Sequence, residues 1–228
     1  MLASWEKLPD FIKSAAVKQY YDVLRQRIVQ LVFKRIADII FSAVLFVALL
    51  PIMLVCAAAV KLSSEGDVIF KQQRLTGYGR LFNVYKFRTM YATAEHDLPI
   101  TTHNDDRVTA VGHFLRKTHL DELPQLWNIL KGDMTFVGTR PEVPCFVDEY
   151  NAEWLATLLL PAGLTSWASV FFRNEAELIN KAENAKEIYM NEILPLKMEM
   201  NLNYIKNFSL KNDVVIIFET IKAVLTDI

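Results

Sequence analysis

Between Ile39 and Val60 the chain carries 22 consecutive uncharged residues, IIFSAVLFVALLPIMLVCAAAV, with Pro51 near their middle and Lys34, Arg35, Asp38 and Lys61 at the flanks. At about 1.5 Å per residue, a straight helix of this length could cross a hydrocarbon core of about 30 Å. Proline removes a backbone donor and pushes the preceding residue, Leu50, away from α geometry, so the pattern predicts two short helices rather than one rod. A bent pair can enter and leave a bilayer by the same face. Lys34 and Arg35 precede the run while Lys61, Lys71 and Arg74 follow it, a distribution that allows both ends to be cytoplasmic. The competing reading is a buried helix of a soluble protein, but such apolar stretches are usually nearer 10 to 14 residues.

Upstream, Leu8, Phe11, Ile12, Ala15, Tyr20, Leu24, Ile28 and Leu31 recur at helical spacing among Lys7, Lys13, Lys18, Arg25 and Arg27. This amphipathic pattern fits a basic helix on an anionic membrane surface and, equally, a helix packed on the domain. Downstream, VIFKQQR (68–74) and RLFNVYKFRTM (80–90) are β-branched and aromatic around Gly77-Tyr78-Gly79, which predicts a short hairpin as the one clear β element. DELPQLWNILK reads as a helix stopped by Gly132, and 174–194 and 213–226 read as further helices. The apolar face of the last, with Val214, Ile217, Phe218, Ile221, Val224 and Leu225, fits either the core or a membrane interface, and the core is the expectation. The expected fold is thus α+β and mostly helical. It comprises an amphipathic, interfacial extension (1–33), a membrane-embedded, proline-bent re-entrant helix (34–61), and a small cytoplasmic domain (62–228) with a short β-hairpin and C-terminal helices.

The 228 residues leave room for one compact domain beside the anchoring element. With 25 Lys+Arg against 26 Asp+Glu and no basic run of five, nothing points to nucleic acid, and any anion site must be local. Cys56 and Cys145 form no C-x-x-C or spaced framework, which suits a reducing compartment. The apolar run starts too late for a cleavable signal, so the globular part is expected in the cytoplasm.

Asp121 and Glu122 stand at the predicted start of a helix whose first turn contains Pro124. Free N–H groups and the positive helix end favour carboxylates there, so the plain reading is a cap. The chemical reading divides labour, one carboxylate facing a reacting phosphorus and the other holding a metal, for which Mg²⁺ is the natural choice. Lys86, Arg88, Arg107, Arg116, Lys117 and Arg140 surround the pair in sequence, and converging arginine forks would build a diphosphate site. The glycines at 77, 79, 132 and 138 match neither a P-loop nor a dinucleotide fingerprint, and the histidines at 96, 103, 113 and 119 show no zinc spacing. His119, next to the pair, is a candidate proton carrier.

Taken in order, KRIADIIFSAVLFVALLPIML, VIFKQQR, YKFRTM, LRKTHLDELPQLWNILKGDMTFVGTRPE and LLPAGLTSWAS resemble the bacterial sugar transferase family, the monotopic phosphoglycosyl transferases, from about residue 34 to the end. The resemblance implies an enzyme of the bacterial inner membrane with its catalytic domain facing the cytoplasm. It would move a sugar-1-phosphate from a UDP-sugar to undecaprenyl (polyprenyl) phosphate and release UMP, the first membrane step of a surface glycan. It implies Asp121 as nucleophile through a covalent aspartyl intermediate, Glu122 as the Mg²⁺ ligand, and Lys86, Arg88, Arg107, Arg116, Arg140 and Pro141 as substrate-binding residues. It also implies Pro51 as the membrane bend, membrane lipid around it, and downstream glycosyltransferases as further partners. Three departures stand out: Leu50 replaces a serine before the bending proline, Thr139 replaces the first proline of Pro-Arg-Pro, and Pro161 to Ser166 read PAGLTS in place of PGITG. Two other classes compete, a catalytically inactive membrane-anchored scaffold and a lipid-diphosphate phosphohydrolase using the same acidic pair.

Overall fold

The computed structural model describes residues 2–91, 106–173 and 185–227. Helix α1 (Ala15–Gln26) starts where the Ser14 hydroxyl accepts from Val17 N at 3.2 Å, a cap that satisfies one of the first-turn donors. Its apolar stripe, Val17, Tyr20, Tyr21 and Leu24, is fully committed to the main core together with Leu8 and Ile12. The amphipathic pattern at the N-terminus therefore packs on the domain, with Phe11 and Ile28 left exposed on it.

Helices α2 (Ile28–Ala48) and α3 (Leu50–Ser63) divide the apolar run. Neither is both long and apolar enough to cross a bilayer alone; together they pass as a pair bent by 61°. Pro51 lies in the first turn of α3, where its missing donor costs nothing, while in a continuous helix its ring would crowd the Val47 carbonyl. The break falls at Leu49 (φ −91°, ψ 0°) and not at Leu50, which joins α3. The outer surfaces of α2 and α3 expose large apolar side chains, among them Phe33, Ile40, Phe41, Val44, Val47, Leu54 and Val55.

Strands β1 (Ile69–Thr76) and β2 (Arg80–Phe87) form the predicted antiparallel hairpin around Tyr78 and Gly79, both at positive φ. Then follow α4 (Ala110–Lys117), α5 (Gln125–Lys131), strand β3 (Met134–Val137), α6 (Pro144–Val147), strand β4 (Ala162–Thr165) and α7 (Trp167–Phe171). Gly132 ends α5 as expected, at φ +91°, a conformation that favours glycine. The hairpin is not the only β element: β3 and β4 pair in parallel. Each has four residues, too short for a period-2 pattern to stand out. Gly163, within β4, is required there because a Cβ would lie 2.1 Å from the Gly138 carbonyl oxygen.

The chain closes with α8 (Ala185–Ile188), a π turn over Tyr189–Ile193, α9 (Leu194–Lys206) and α10 (Leu210–Asp227). Residues 174–184 of the helix expected over 174–194 lie outside the described residues. The apolar face of α10 departs from expectation. Ile216 is buried, but Val214, Phe218, Ile221 and Leu225 are 53 to 67% exposed. Much of the broad face read as core is outer surface, like that of α2, while Ile217, Ile221 and Val224 also border a cavity; α10 is tied to the domain by Ile216 and by its polar residues, with Asp213 buried and the Thr220 hydroxyl meeting that of Thr165 at 2.7 Å.

The flanking charges of the apolar run also change meaning. Lys34 Nζ donates to Asp213 Oδ2 at 2.6 Å in a buried pair, and Arg35 donates to the Ile129 and Leu130 carbonyls at the end of α5 at 2.7 and 2.9 Å. Asp38 accepts from Thr135 Oγ1 at 2.6 Å and from Phe136 N at 3.2 Å on β3. These charges fasten α2 to the domain. Lys34→Ala, which leaves Asp213 buried without its cation, is expected to cost about 3–5 kcal/mol, and pairing Lys34→Met with Asp213→Leu is expected to recover most of it. Denaturant melts of the detergent-solubilised protein check this, and a Lys34→Ala protein as stable as wild type contradicts it.

Candidate active site

Asp121 and Glu122 lie in a single tight turn, Leu120–Glu122, one step before α5 rather than within it. His119 opens this turn at φ +54°, ψ +16°, a left-handed conformation uncommon outside glycine that reverses the chain after α4. The pair thus owes its position to the αL turn at His119 and not to a helix cap. The following helix is set against β2 by Asn128, wholly buried, whose Oδ1 accepts from Tyr85 N at 3.1 Å and whose Nδ2 donates to Asn83 O at 2.8 Å. An amide that mimics a strand partner in this way fixes the spacing between the acidic turn and the hairpin.

Across that spacing, Lys86 Nζ on β2 donates to Glu122 Oε1 at 2.7 Å. Arg140, beyond β3, reaches the same oxygen through Nη2 at 3.0 Å. Burial alone would push the Glu122 carboxyl up, but Lys86 and Arg140 outweigh it and hold it well below the ordinary carboxylate range. For Asp121, 7% exposed, burial prevails: its carboxyl is pushed above the ordinary value, with Lys86, Arg116 and His119 opposing and Glu122 reinforcing the rise. Two adjacent carboxylates in opposed environments are the usual basis for giving them different roles.

The turn borders a cavity of about 660 Å³ whose lining includes Lys86, His119, Glu122, Arg140 and Pro141. Four lining residues come from one face of the hairpin. In its register Phe70, Gln72 and Arg74 oppose Lys86, Val84 and Phe82, and alternation puts Gln72, Arg74, Val84 and Lys86 on the same side. Four of the cations singled out in the sequence, Arg88, Arg107, Arg116 and the exposed Lys117, do not line it. Arg88, 8% exposed, lies just beyond the end of β2 and donates to the backbone of Ser64 and Asp67 and, at 3.0 Å, to Ser64 Oγ, tying down the chain after α3. Arg116 donates through Nε to Thr89 Oγ1 at 2.9 Å and acts on Asp121 only as a nearby charge. Arg107 accepts at its carbonyl from Tyr91 N at 3.0 Å, beside the bridge between Met90 and Val108.

Among the described residues no group of three or more His, Cys, Asp or Glu is gathered as a metal cage. A cage is not what Mg²⁺ requires, since it is commonly held by one or two carboxylates with phosphate oxygens and water completing the shell. Both cations meet Glu122 at Oε1, and among the described residues no hydrogen bond or ion pair reaches Oε2. The donor set fits such an ion.

The model for bacterial sugar transferases matches residues 29–227, from α2 through α10 and every residue of this site. The chain belongs to the bacterial sugar transferase family. Relatives within this sugar transferase family include the UDP-N-acetylgalactosamine-undecaprenyl-phosphate N-acetylgalactosaminephosphotransferase of Aeromonas hydrophila, 38% identical over 197 residues, which cover 85% of this chain and 44% of that protein. The UDP-glucose:undecaprenyl-phosphate glucose-1-phosphate transferase of Klebsiella pneumoniae is 38% identical over 198 residues, 85% of this chain and 40% of the relative. The undecaprenyl-phosphate galactose phosphotransferase of Salmonella typhimurium is 35% identical over 208 residues, 84% of this chain and 40% of the relative. The chain thus spans less than half the length of these sugar transferases. Their names carry three different sugars.

Sequence reasoning missed Arg74, Glu142, Tyr189 and Lys197, which line the same cavity. Arg74 and Glu142 were within reach: one lies at even spacing from Gln72 on the predicted strand, the other follows Thr139-Arg140-Pro141 directly. Tyr189 and Lys197 arrive from a distant helix, and no local pattern marks them.

The opposed environments of the pair predict opposite stability effects. The folded-state pKa of Asp121 lies above its unfolded value, so its contribution is fully present below the unfolded value and is lost as pH rises through the folded one. That of Glu122 lies below, so its contribution is present above the unfolded value and is lost as pH falls toward the depressed one. At pH 7 Asp121→Asn is expected to melt above wild type and Glu122→Gln below it, with both differences shrinking in acid. Melting curves between pH 4 and 8 check this, and the reverse order at pH 7 contradicts it.

Proposed function

We propose that this chain transfers a sugar-1-phosphate from a UDP-sugar to a polyprenyl phosphate, with Asp121 as nucleophile. The observation that carries the reading is the acidic turn itself. A buried carboxylate with a raised pKa, Asp121, directly precedes a second, Glu122, that Lys86 and Arg140 hold low and that lines a cavity large enough for a nucleotide sugar. The activities named for the relatives support the same reaction class.

In this reading an Asp121 carboxylate oxygen attacks the phosphorus that bears the sugar. The bond from that phosphorus to the bridging oxygen breaks, and UMP leaves with the electron pair. A phosphate oxygen of the polyprenyl phosphate then attacks the same phosphorus and frees Asp121. Splitting the transfer lets a soluble donor and a lipid acceptor bind in turn. Lys86 and Arg140 orient Glu122 and face the charge that develops on the leaving phosphate, the main electrostatic task in phosphoryl transfer. Glu122 is the residue that would hold a Mg²⁺ ion, which would add Lewis-acid neutralisation of that charge.

The two-step path leaves a trace. Donor and enzyme without lipid are expected to release UMP in a burst, and the peptide containing Asp121 is expected to gain the mass of a sugar phosphate. Asp121→Asn and excess chelator are each expected to remove burst and adduct. UMP release that needs polyprenyl phosphate from the first turnover, with no adduct, would instead favour direct displacement with Asp121 as general base.

The bent pair of α2 and α3 is read as a re-entrant element at the cytoplasmic face of the inner membrane, with the exposed apolar surfaces of α2, α3 and α10 toward lipid. Cysteines introduced at the exposed positions Asp10 and Lys117 are then expected to be protected together from periplasmic labelling in intact cells. Labelling of one and not the other means that the pair spans. Pro51→Leu removes the cause of the bend and is expected to shift the protein toward that spanning topology.

A further inference from the structure

Away from the acidic turn, the same cavity is bordered by a second set of charged and polar groups. Glu142 follows Arg140 by two residues, which places their Cα atoms at most about 7 Å apart. Its carbonyl accepts from Leu75 N at 3.0 Å, which sets it beside Arg74 on the cavity-facing side of β1. Tyr189 Oη donates to Glu142 Oε1 at 2.9 Å. Lys197 Nζ lies 5.0 Å from the Tyr189 ring centroid and 5.9 Å from that of Phe172, in a side chain that is 92% buried on an 8% relative exposure. Asn201, 4% exposed and one turn further along α9, also lines the cavity. Tyr189 begins the π turn between α8 and α9, an irregularity common at binding sites because it re-aims side chains.

The chemistry of this set is selective. Glu142 only accepts hydrogen bonds, Arg74 and Lys197 only donate, and the Asn201 amide does both. A phosphate, which only accepts, would be repelled by Glu142. A prenyl chain offers these groups no hydrogen bond. A pair of adjacent hydroxyls, each able to donate and accept, matches acceptor-only and donor-only neighbours at once. Burial pushes the Arg74 guanidinium down from its ordinary value, Glu142 works against that fall and Arg140 adds to it, so Arg74 senses both ends of the Arg140–Glu142 segment.

We propose that Glu142, with Tyr189, Arg74 and Lys197 around it, forms the subsite that grips a vicinal diol of the nucleotide sugar, in the ring bound next to the diphosphate. This rests on the transferase reading. It adds a recognition element one sugar ring away from the phosphate held near Glu122, and two rings of the donor carry such a diol, the transferred sugar and the ribose.

Calorimetry with the full chain separates these, using UMP and the UDP-sugar that wild type turns over fastest, alongside UMP-release kinetics. Glu142→Gln is expected to weaken UDP-sugar binding and lower kcat/KM about 10- to 100-fold, the scale of a lost charged hydrogen bond. If UMP binding weakens in step, the diol is the ribose; if UMP binding is unchanged, it is the sugar. Tyr189→Phe, which keeps the ring beneath Lys197, is expected to weaken the same ligand several-fold and serves if Glu142→Gln fails to fold. Variants that melt lower but bind both ligands as wild type does would make the cluster a structural ion network and overturn the proposal. A wild-type protein that binds UDP-sugar without ever releasing UMP would instead sink the transferase reading and leave the subsite standing. Failure of wild type to bind any UDP-sugar would overturn both.

Discussion

Lys34 and Asp38 are charged groups on a helix that continues directly into an apolar run, and both are buried. Removing such groups from water is costly unless every one is paired and hydrogen-bonded. Here they are. Asp213 accepts from Lys34 Nζ and, through Oδ1, from Tyr204 Oη at 2.7 Å, while Asp38 is held by Thr135 and Phe136. Burial raises the Asp213 carboxyl above its ordinary value and Lys34 draws it back, as expected where desolvation and pairing compete. The network joins α2, β3, α9 and α10 at one point. Because β3 runs on through Gly138 to Arg140, which pins Glu122, the bent helix pair and the acidic turn belong to one rigid construction.

Rigidity matters because the site is built against local preference. His119 holds a left-handed backbone that costs on the order of 1 kcal/mol or more, and Asp121 holds a carboxylate where burial disfavours charge. Such features persist only when surrounding contacts over-determine them. Asn128 clamps α5 to the hairpin, Arg88 clamps the chain after α3, and Gly112 lets α4 approach Thr89 so closely that a Cβ would lie 2.0 Å from its carbonyl oxygen. Arg88 illustrates the point. A cation two residues from Lys86 was a natural phosphate ligand in the sequence, yet its fork is engaged by backbone oxygens, so its contribution is to place the strand and not to touch substrate.

The cavity is chemically divided as a result. Cations around Glu122 meet the acidic turn, and Glu142, Tyr189 and Lys197 form a separate set with both donors and acceptors. Ile217, Ile221 and Val224 of α10 supply an apolar wall, while the other side of that helix is exposed. One helix therefore separates the polar cavity from a surface suited to lipid, a short path for an amphiphilic acceptor.

Patterns carried by consecutive residues were legible in the chain. The 22-residue run and Pro51 announced a broken apolar helix, Gly77 to Gly79 announced a hairpin, Gly132 ended α5, and the block from Leu120 to Pro141 carried the family. These signals are local: a ring without a donor, a left-handed glycine, an alternation of side chains. Four-residue strands such as β3 and β4 carry too little pattern to be read. Whether an amphipathic face meets core or surroundings was also beyond the sequence, since α1 and α10 have similar stripes and opposite fates, decided by whether buried apolar or buried polar residues tie the helix down. Charges were the least legible of all. Lys34, Arg35, Arg74 and Arg88 looked like markers of topology or ligands of phosphate, while Glu142 drew no attention. Only tertiary structure brings a side chain's partners from 36 or 179 residues away, as for Lys86 with Glu122 and Lys34 with Asp213, and the partner decides whether a charge fastens the fold or faces a substrate.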